Sequence, residues 1–268
     1  SFNRAREREL AKHAGERTEE EWESAIAEAY ASFGRTVLPK LGKTPVQYFA
    51  EMSDQELCET LKEYILQDVP VPDFLSEELA SRGAFPELLA LLKETDEELV
   101  LYALNALGPA RPALPRYAEM LADEAYDEHV KDHLAELLKE RADEVTDAML
   151  ALAGTENAPY ALEVLSKVKA RDGRVFDVLL SAFKGADEEE LPLYAGYLAS
   201  YGDERALPVL LAEIEREEIG FVAFQELKYA IEALGGEYEK ERDFSSDEAY
   251  KKIMAATAGA DIFGRAKK

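Results

Sequence analysis

His129 and His133 stand four residues apart, with Glu128 and Asp132 beside them. Neutral imidazoles at that spacing on a helix can chelate one metal ion, which would centre a site on His129 and Asp132. Against this, His133 falls on an apolar position of its helix, where packing accounts for the residue. Leu41-Gly42-Lys43-Thr44 echoes the end of a phosphate-binding loop. That motif needs a glycine where Val37 stands and a strand before it, and neither requirement is met, so a linker between helices is expected. Cys58 lies beside Leu57 and Leu61 on an apolar face, far in sequence from any histidine, and reads as a small core residue. The acidic runs Glu19–Glu21, Asp96–Glu98 and Asp187–Glu190 are expected in first turns of helices. There a carboxylate offsets the positive end of the helix dipole by ~0.3–1 kcal/mol, and the oxygen spacing matches no calcium loop. No Gly-x-Ser-x-Gly elbow and no Cys-x-x-Cys pair occur. The residues therefore point to no catalytic group, no metal and no cofactor.

The elements that position these residues repeat. Apolar side chains at i, i+3, i+4 and i+7 mark one face of a helix. Phe85, Leu88, Leu89 and Leu92 fit that template, as do the sets beginning at Leu114, Val145, Phe176 and Leu207, separated by 29, 31, 31 and 31 residues. A second helix follows each, with sets beginning at Val100, Val130, Ala161, Tyr194 and Leu227. Gly108, Gly202 and Gly235 come directly after the last apolar position of three second helices, where glycine closes a helix in the left-handed conformation. Pro86, Pro115 and Pro208 follow the first core position of three first helices, where a missing amide costs little. One helix pair cannot bury both its faces, so stacking of consecutive pairs is expected to make the core.

Gly202-Asp203-Glu204-Arg205-Ala206-Leu207-Pro208-Val209-Leu210-Leu211, with Ile231-Glu232-Ala233-Leu234-Gly235 after it, resembles the short HEAT-like repeat of phycobilisome-lyase-type proteins. Gly83-Ala84-Phe85-Pro86-Glu87-Leu88-Leu89 through Ala106-Leu107-Gly108 is a weaker second copy. The resemblance covers residues 83–236 and implies an all-α fold, an α-α superhelix or HEAT-like solenoid with helical caps at both ends. It says little of function, because such arrays serve many roles. The family includes a di-iron hydroxylase built on His-Glu pairs, and this chain has no His-Glu dipeptide. The expected organisation is an N-terminal helical cap over 1–52, a degenerate repeat over 53–83, five repeats over 84–236, and a C-terminal helix with a mobile tail over 237–268. Capping boxes at Thr18-x-x-Glu21 and Ser245-x-x-Glu248 are expected to open the cap helices, the first of which carries Trp22, Ile26, Tyr30 and Phe33, and one at Ser53-x-x-Glu56 to open the degenerate repeat.

The chain of 268 residues has 31 basic and 56 acidic side chains, a formal charge of −25. All of it sits in the middle: residues 44–140 carry −15 and 141–236 carry −10, while head and tail are neutral. Such a field repels phosphate backbones, so no nucleic acid is expected. No run approaches the ~18–20 apolar residues of a membrane helix, and Ser1–Leu10 holds no signal-peptide core. A single cysteine suits a reducing compartment, and a cytoplasmic location is expected. In solenoids of this kind the second helices usually line the concave face, which nominates Tyr102, Asn105, His129, Asp132, Tyr160, Glu163, Tyr229 and Glu232 as a binding surface. Tyrosines among carboxylates suit a basic, partly apolar protein or peptide. The competing explanation for the tyrosines is that they cover grooves between helices. The expectation is a non-catalytic interaction scaffold; the rival is a HEAT-like lyase or metal-dependent enzyme near His129 and Asp132.

Overall fold

The computed structural model describes residues 19–259. His13, the Thr18 capping position, the side chains of Glu19–Glu21 and Trp22, and the tail beyond residue 259 lie outside the described residues. Among the described residues there is no β-strand, only an isolated bridge between Leu38 and Lys43, and no helix is long and apolar enough to cross a membrane. The chain divides into two compact units, Ser1–Ala113 and Leu114–Lys268. The division falls between the first and second of the five repeats read from the spacing.

The first unit holds α1 (Glu19–Gly34), α2 (Pro45–Ala50), α3 (Asp54–Leu66), α4 (Asp73–Arg82), α5 (Phe85–Leu91) and α6 (Glu97–Leu107). Two of these helices are opened by capping boxes. Ser53 and Glu56 exchange side-chain bonds at the start of α3, as the sequence predicts. Thr44 and Gln47 do the same at the start of α2, a helix too short to show a period. Helix α3 packs on α4, α5 and α6, and α4 packs on α2 and α6. Leu57, Leu61, Leu75, Leu79, Leu88, Leu92 and Leu104 are wholly buried between them. Arg82 locks the corner. Its guanidinium donates to the carbonyls of Met52 and Ala50, at 2.6 and 2.8 Å, while pairing with Glu78 and Asp54. The orphan carbonyls at the end of α2 thereby gain a charged donor.

The second unit continues with α7 (Leu114–Ala122), α8 (Glu128–Lys139), α9 (Ala142–Leu152), α10 (Ala158–Leu165), α11 (Gly173–Gly185), α12 (Leu191–Tyr201), α13 (Leu207–Ile214), α14 (Phe221–Ala233) and α15 (Glu248–Gly259). Each of the pairs α7–α8, α9–α10, α11–α12 and α13–α14 is in contact. In addition α7, α9 and α11 pack in succession, as do α8, α10, α12 and α14. The template residues make these contacts: Val130, Leu134, Ala161, Val164, Leu165, Leu198, Leu227 and Ile231 are buried.

Three local expectations need correcting. Gly202 closes α12 in the left-handed conformation, but Gly108 closes α6 at φ 53°, ψ −154°, a region open essentially to glycine alone and outside the left-handed helical well. Asp187–Glu190 does not sit in a first turn: it forms the turn before α12, with Asp187 accepting from the amides of Glu189 and Glu190. At the last helix Ser245 is not the cap. Asp247 takes that place, accepting from the amides of Tyr250 and Phe221, at 2.9 and 3.0 Å, so one carboxylate serves the starts of α15 and α14.

Candidate functional site

The eight residues nominated as a binding surface fall in both compact units. Half-buried Tyr102 and exposed Asn105 belong to α6 in the first unit. The other six belong to the second, on α8, α10 and α14. There α8 and α10, which carries Tyr160, pack side by side. Burial raises the Tyr160 phenol above its ordinary range, and Asp132, Glu128 and Asp127 raise it further. Asp127 is itself the cap of α8, accepting from the Val130 amide at 3.0 Å. Glu163 is engaged, gripped by Lys139 at 2.6 Å, and the same ammonium holds Glu136. On α14, Glu232 is exposed and Tyr229 stands 61% exposed, the most exposed aromatic side chain of the second unit among the described residues.

The histidine pair separates into one exposed and one packed residue. His129 is exposed; His133 is half-buried, and its Nε2 is buried with no hydrogen-bond partner. Burial, then the neighbouring His129, lowers the His133 pKa and keeps the ring neutral. Among the described residues no three His, Cys, Asp or Glu side chains converge as metal ligands would. Cys58 is buried in the core, its thiol pushed up to about 11, mostly by burial, with Glu87 and Asp54 adding to it. A thiol so far from ionising is a poor nucleophile at neutral pH. In the Leu41–Thr44 loop, Thr44 caps α2 and Lys43 pairs with Glu51, so the groups that resembled phosphate ligands hold the linker to the helix after it.

Three features escape the periodic reading. Lys131 lies one position off the apolar template yet is buried, its ammonium donating to the side-chain oxygen of buried Asn157 at 2.7 Å and tying α8 to α10. A depression of about 1120 Å³ in the second unit gathers Lys139, Arg141, Lys167, Lys169 and Arg171. Four of these side chains are engaged: Lys139 and Arg141 pair with carboxylates, Lys167 donates to Ser200 Oγ at 2.9 Å, and Arg171 to the Gly202 carbonyl at 2.7 Å.

A predominantly apolar feature lies in the first unit. A groove of about 1060 Å³ runs between α1, α2, α3, α4 and the segments joining them. Tyr30 and Phe33 of α1 form one side, Leu38 and Leu41 of the linker and Tyr48 of α2 a second, and Tyr64 of α3 with Pro70, Val71 and Pro72 a third. Phe74 lies in the floor, stacked on Tyr30 with centroids 4.5 Å apart and planes within 3°. Gly34 permits that stack: a Cβ there would meet the Phe74 ring at 2.5 Å. Asp73 and Glu77, one turn apart on α4, are the acidic groups of the rim. The available signal in the sequence was Val37, Leu38 and Leu41, apolar residues in a segment with no helical period. Compared with known proteins, the chain matches no family model and no curated sequence.

Proposed function

We propose that the chain is a non-catalytic interaction scaffold of HEAT-like helix pairs that binds a basic protein or peptide through its acidic second helices. The successive packing of α7, α9, α11 and of α8, α10, α12, α14 in the second unit supports a solenoid arrangement there. The observation that carries the function is the packing of α10, which bears half-buried Tyr160, beside the acidic start of α8, whose Asp132, Glu128 and Asp127 oppose ionisation of that phenol after burial. An amphipathic ring ringed by carboxylates offers apolar area and a cation-attracting field in one place. Long-range attraction by the net charge of −25 brings the partner in, and the tyrosines hold it. Such steering weakens as salt shortens the Debye length below ~10 Å.

The test is affinity capture with the full chain and with the Glu128→Gln, Asp132→Asn double variant. Expected is a set of basic proteins retained at low salt, released by high salt, and diminished on the variant. Retention that ignores both salt and the variant removes the proposal.

A further inference from the structure

We infer that the aromatic groove of the first unit is a docking site for an amphipathic segment of a partner protein, one carrying bulky apolar side chains and a Lys or Arg. The groove is held in shape by covalent and packing constraints. Pro70 and Pro72 fix the linker wall, the Thr44–Gln47 capping box fixes α2 and with it Tyr48, and the Tyr30–Phe74 stack fixes the floor. Of its lining residues Leu41 and Tyr48 stand 46 and 37% exposed, and Val37 and Val69, each next in sequence to a lining residue, 57 and 42%. Scattered apolar residues need no explanation, but a contiguous patch built around a concave surface marks an interaction site.

Size and charge select the occupant. A volume of about 1060 Å³ lies at the top of the ~300–1,000 Å³ range typical of small-molecule pockets and has room for several large side chains. With no strand in its walls among the described residues, the groove offers no sheet edge for an extended peptide; apolar anchors from one face of a helix fit it better. Asp73 and Glu77 are exposed, and neither has an ion-pair partner within 4.0 Å among the described residues. Tyr30 shares this corner with them: its hydroxyl accepts from the Asp73 amide at 2.9 Å, and its phenol is raised first by burial, with the Asp73 and Glu77 carboxylates adding to it against the lowering effect of that amide. A cation placed there meets two negative charges and an aromatic edge, while the apolar part of the same segment covers Leu41, Tyr48 and Tyr64. This site belongs to the first unit, shares no residue with the acidic face of α8 and α10, and does not rest on that reading.

The probe is a random peptide library displayed on phage and selected against the full chain. Enriched peptides are then synthesised and titrated against four proteins: wild type, Leu41→Glu, Glu77→Gln and the Glu128→Gln, Asp132→Asn double variant. Expected are peptides with at least two Leu, Phe or Trp and a Lys or Arg, weakened about tenfold or more by Leu41→Glu and a few-fold by Glu77→Gln. The double variant on α8 should leave their affinity unchanged, which separates failure of this site from failure of the scaffold proposal. Unaltered helical circular dichroism distinguishes lost binding from lost fold in Leu41→Glu, and Glu77→Gln, at an exposed and unpaired position, reads the site independently. The inference is overturned if no peptide is enriched, if enriched peptides bind Leu41→Glu as tightly as wild type, or if they are acidic. A chain that sediments as a dimer and dissociates on Leu41→Glu overturns it too, since the occupant is then a second copy.

Discussion

The two compact units prepare their surfaces by different physics. In Leu114–Lys268 the helix pairs succeed one another regularly, and the exposed large apolar residues of those pairs are scattered: Leu193, Leu211, Val222 and Tyr229 lie on three different helices, with adjacent Ile253 and Met254 exposed on the final helix α15. In Ser1–Ala113 the regularity is broken by the linker over 35–44 and the proline-bearing turn over 67–72. There Val37, Leu41, Val46, Tyr48, Leu66 and Val69 are all left in water. Periodic stacking hides apolar side chains because the next pair always arrives to cover them. Where the period stops, the same kind of side chain is left to line a groove. One unit thus offers charge over packed helix pairs, and the other adds to its charge an apolar groove with Asp73 and Glu77 at the rim.

The largest effect expected from this contrast is on stability. Leu61, 1% exposed between α3 and its neighbours, should cost about 2–5 kcal/mol when replaced by alanine, from lost transfer energy and the cavity left behind. Leu41→Glu, at a position 46% exposed, should change stability by no more than about 0.5 kcal/mol. Urea denaturation followed by circular dichroism measures both. Should the two variants prove equally damaging, Leu41 belongs to a core and the open groove does not exist in solution.

Much of the second unit was legible because a packed helix pair leaves a period in the sequence. Every template position in α8, α10, α12 and α14 is buried except His133 and Tyr197, and those two are half-buried. The readings of Ser53 as a cap and Cys58 as core also agree with the structure, since a capping box and an apolar face are both local. The places the period could not reach depended on contacts far apart in sequence. Asp247 was passed over for Ser245 because its second donor, the Phe221 amide, is 26 residues away. The apolar template gives no sign that Lys131 is buried, because its partner Asn157 lies on the next pair. The groove joins Tyr30, Tyr48, Tyr64 and Phe74 from four helices, and no spacing rule connects residues whose proximity is set by Gly34 and two prolines.

A smaller effect tests whether the second unit is closed because its end is covered. Helix α15 is pinned by Asp247 and lays Tyr250 against Phe221, 5.0 Å between centroids, with Phe244 also on Phe221 and Phe224. Asp247→Ala removes the acceptor for two helix-start amides and should cost about 1 kcal/mol, loosening α15 and uncovering these rings. The amides of Tyr250 and Phe221 hold the Asp247 carboxyl below the usual range. A depressed folded pKa contributes stability that is present above the unfolded value of ~3.9 and fades as pH falls through the folded one. Melting curves of variant and wild type should therefore differ near neutral pH and approach each other in acid. A difference that stays constant into acid means that the carboxylate charge is not what holds α15.

The smallest expected effect bears on the charged surface itself. In the Glu128→Gln, Asp132→Asn double variant, the Tyr160 phenol should titrate at lower pH than in wild type, because two of the three carboxylates that oppose its ionisation are gone. It should still titrate above an ordinary tyrosine, because burial is the larger cause and survives the substitutions. The measurement is tyrosinate absorbance in alkali, taken as the difference from the same protein carrying Tyr160→Phe. Stability should change by no more than about 0.5 kcal/mol, since both replaced groups are exposed. Added salt supplies the control: it screens the carboxylates and leaves burial untouched, so it should lower the Tyr160 pKa in wild type more than in the variant. A Tyr160 titration that ignores both the substitutions and the salt means that these carboxylates do not reach the ring. The second unit would then have charge and tyrosines in the same sequence without having them at the same place.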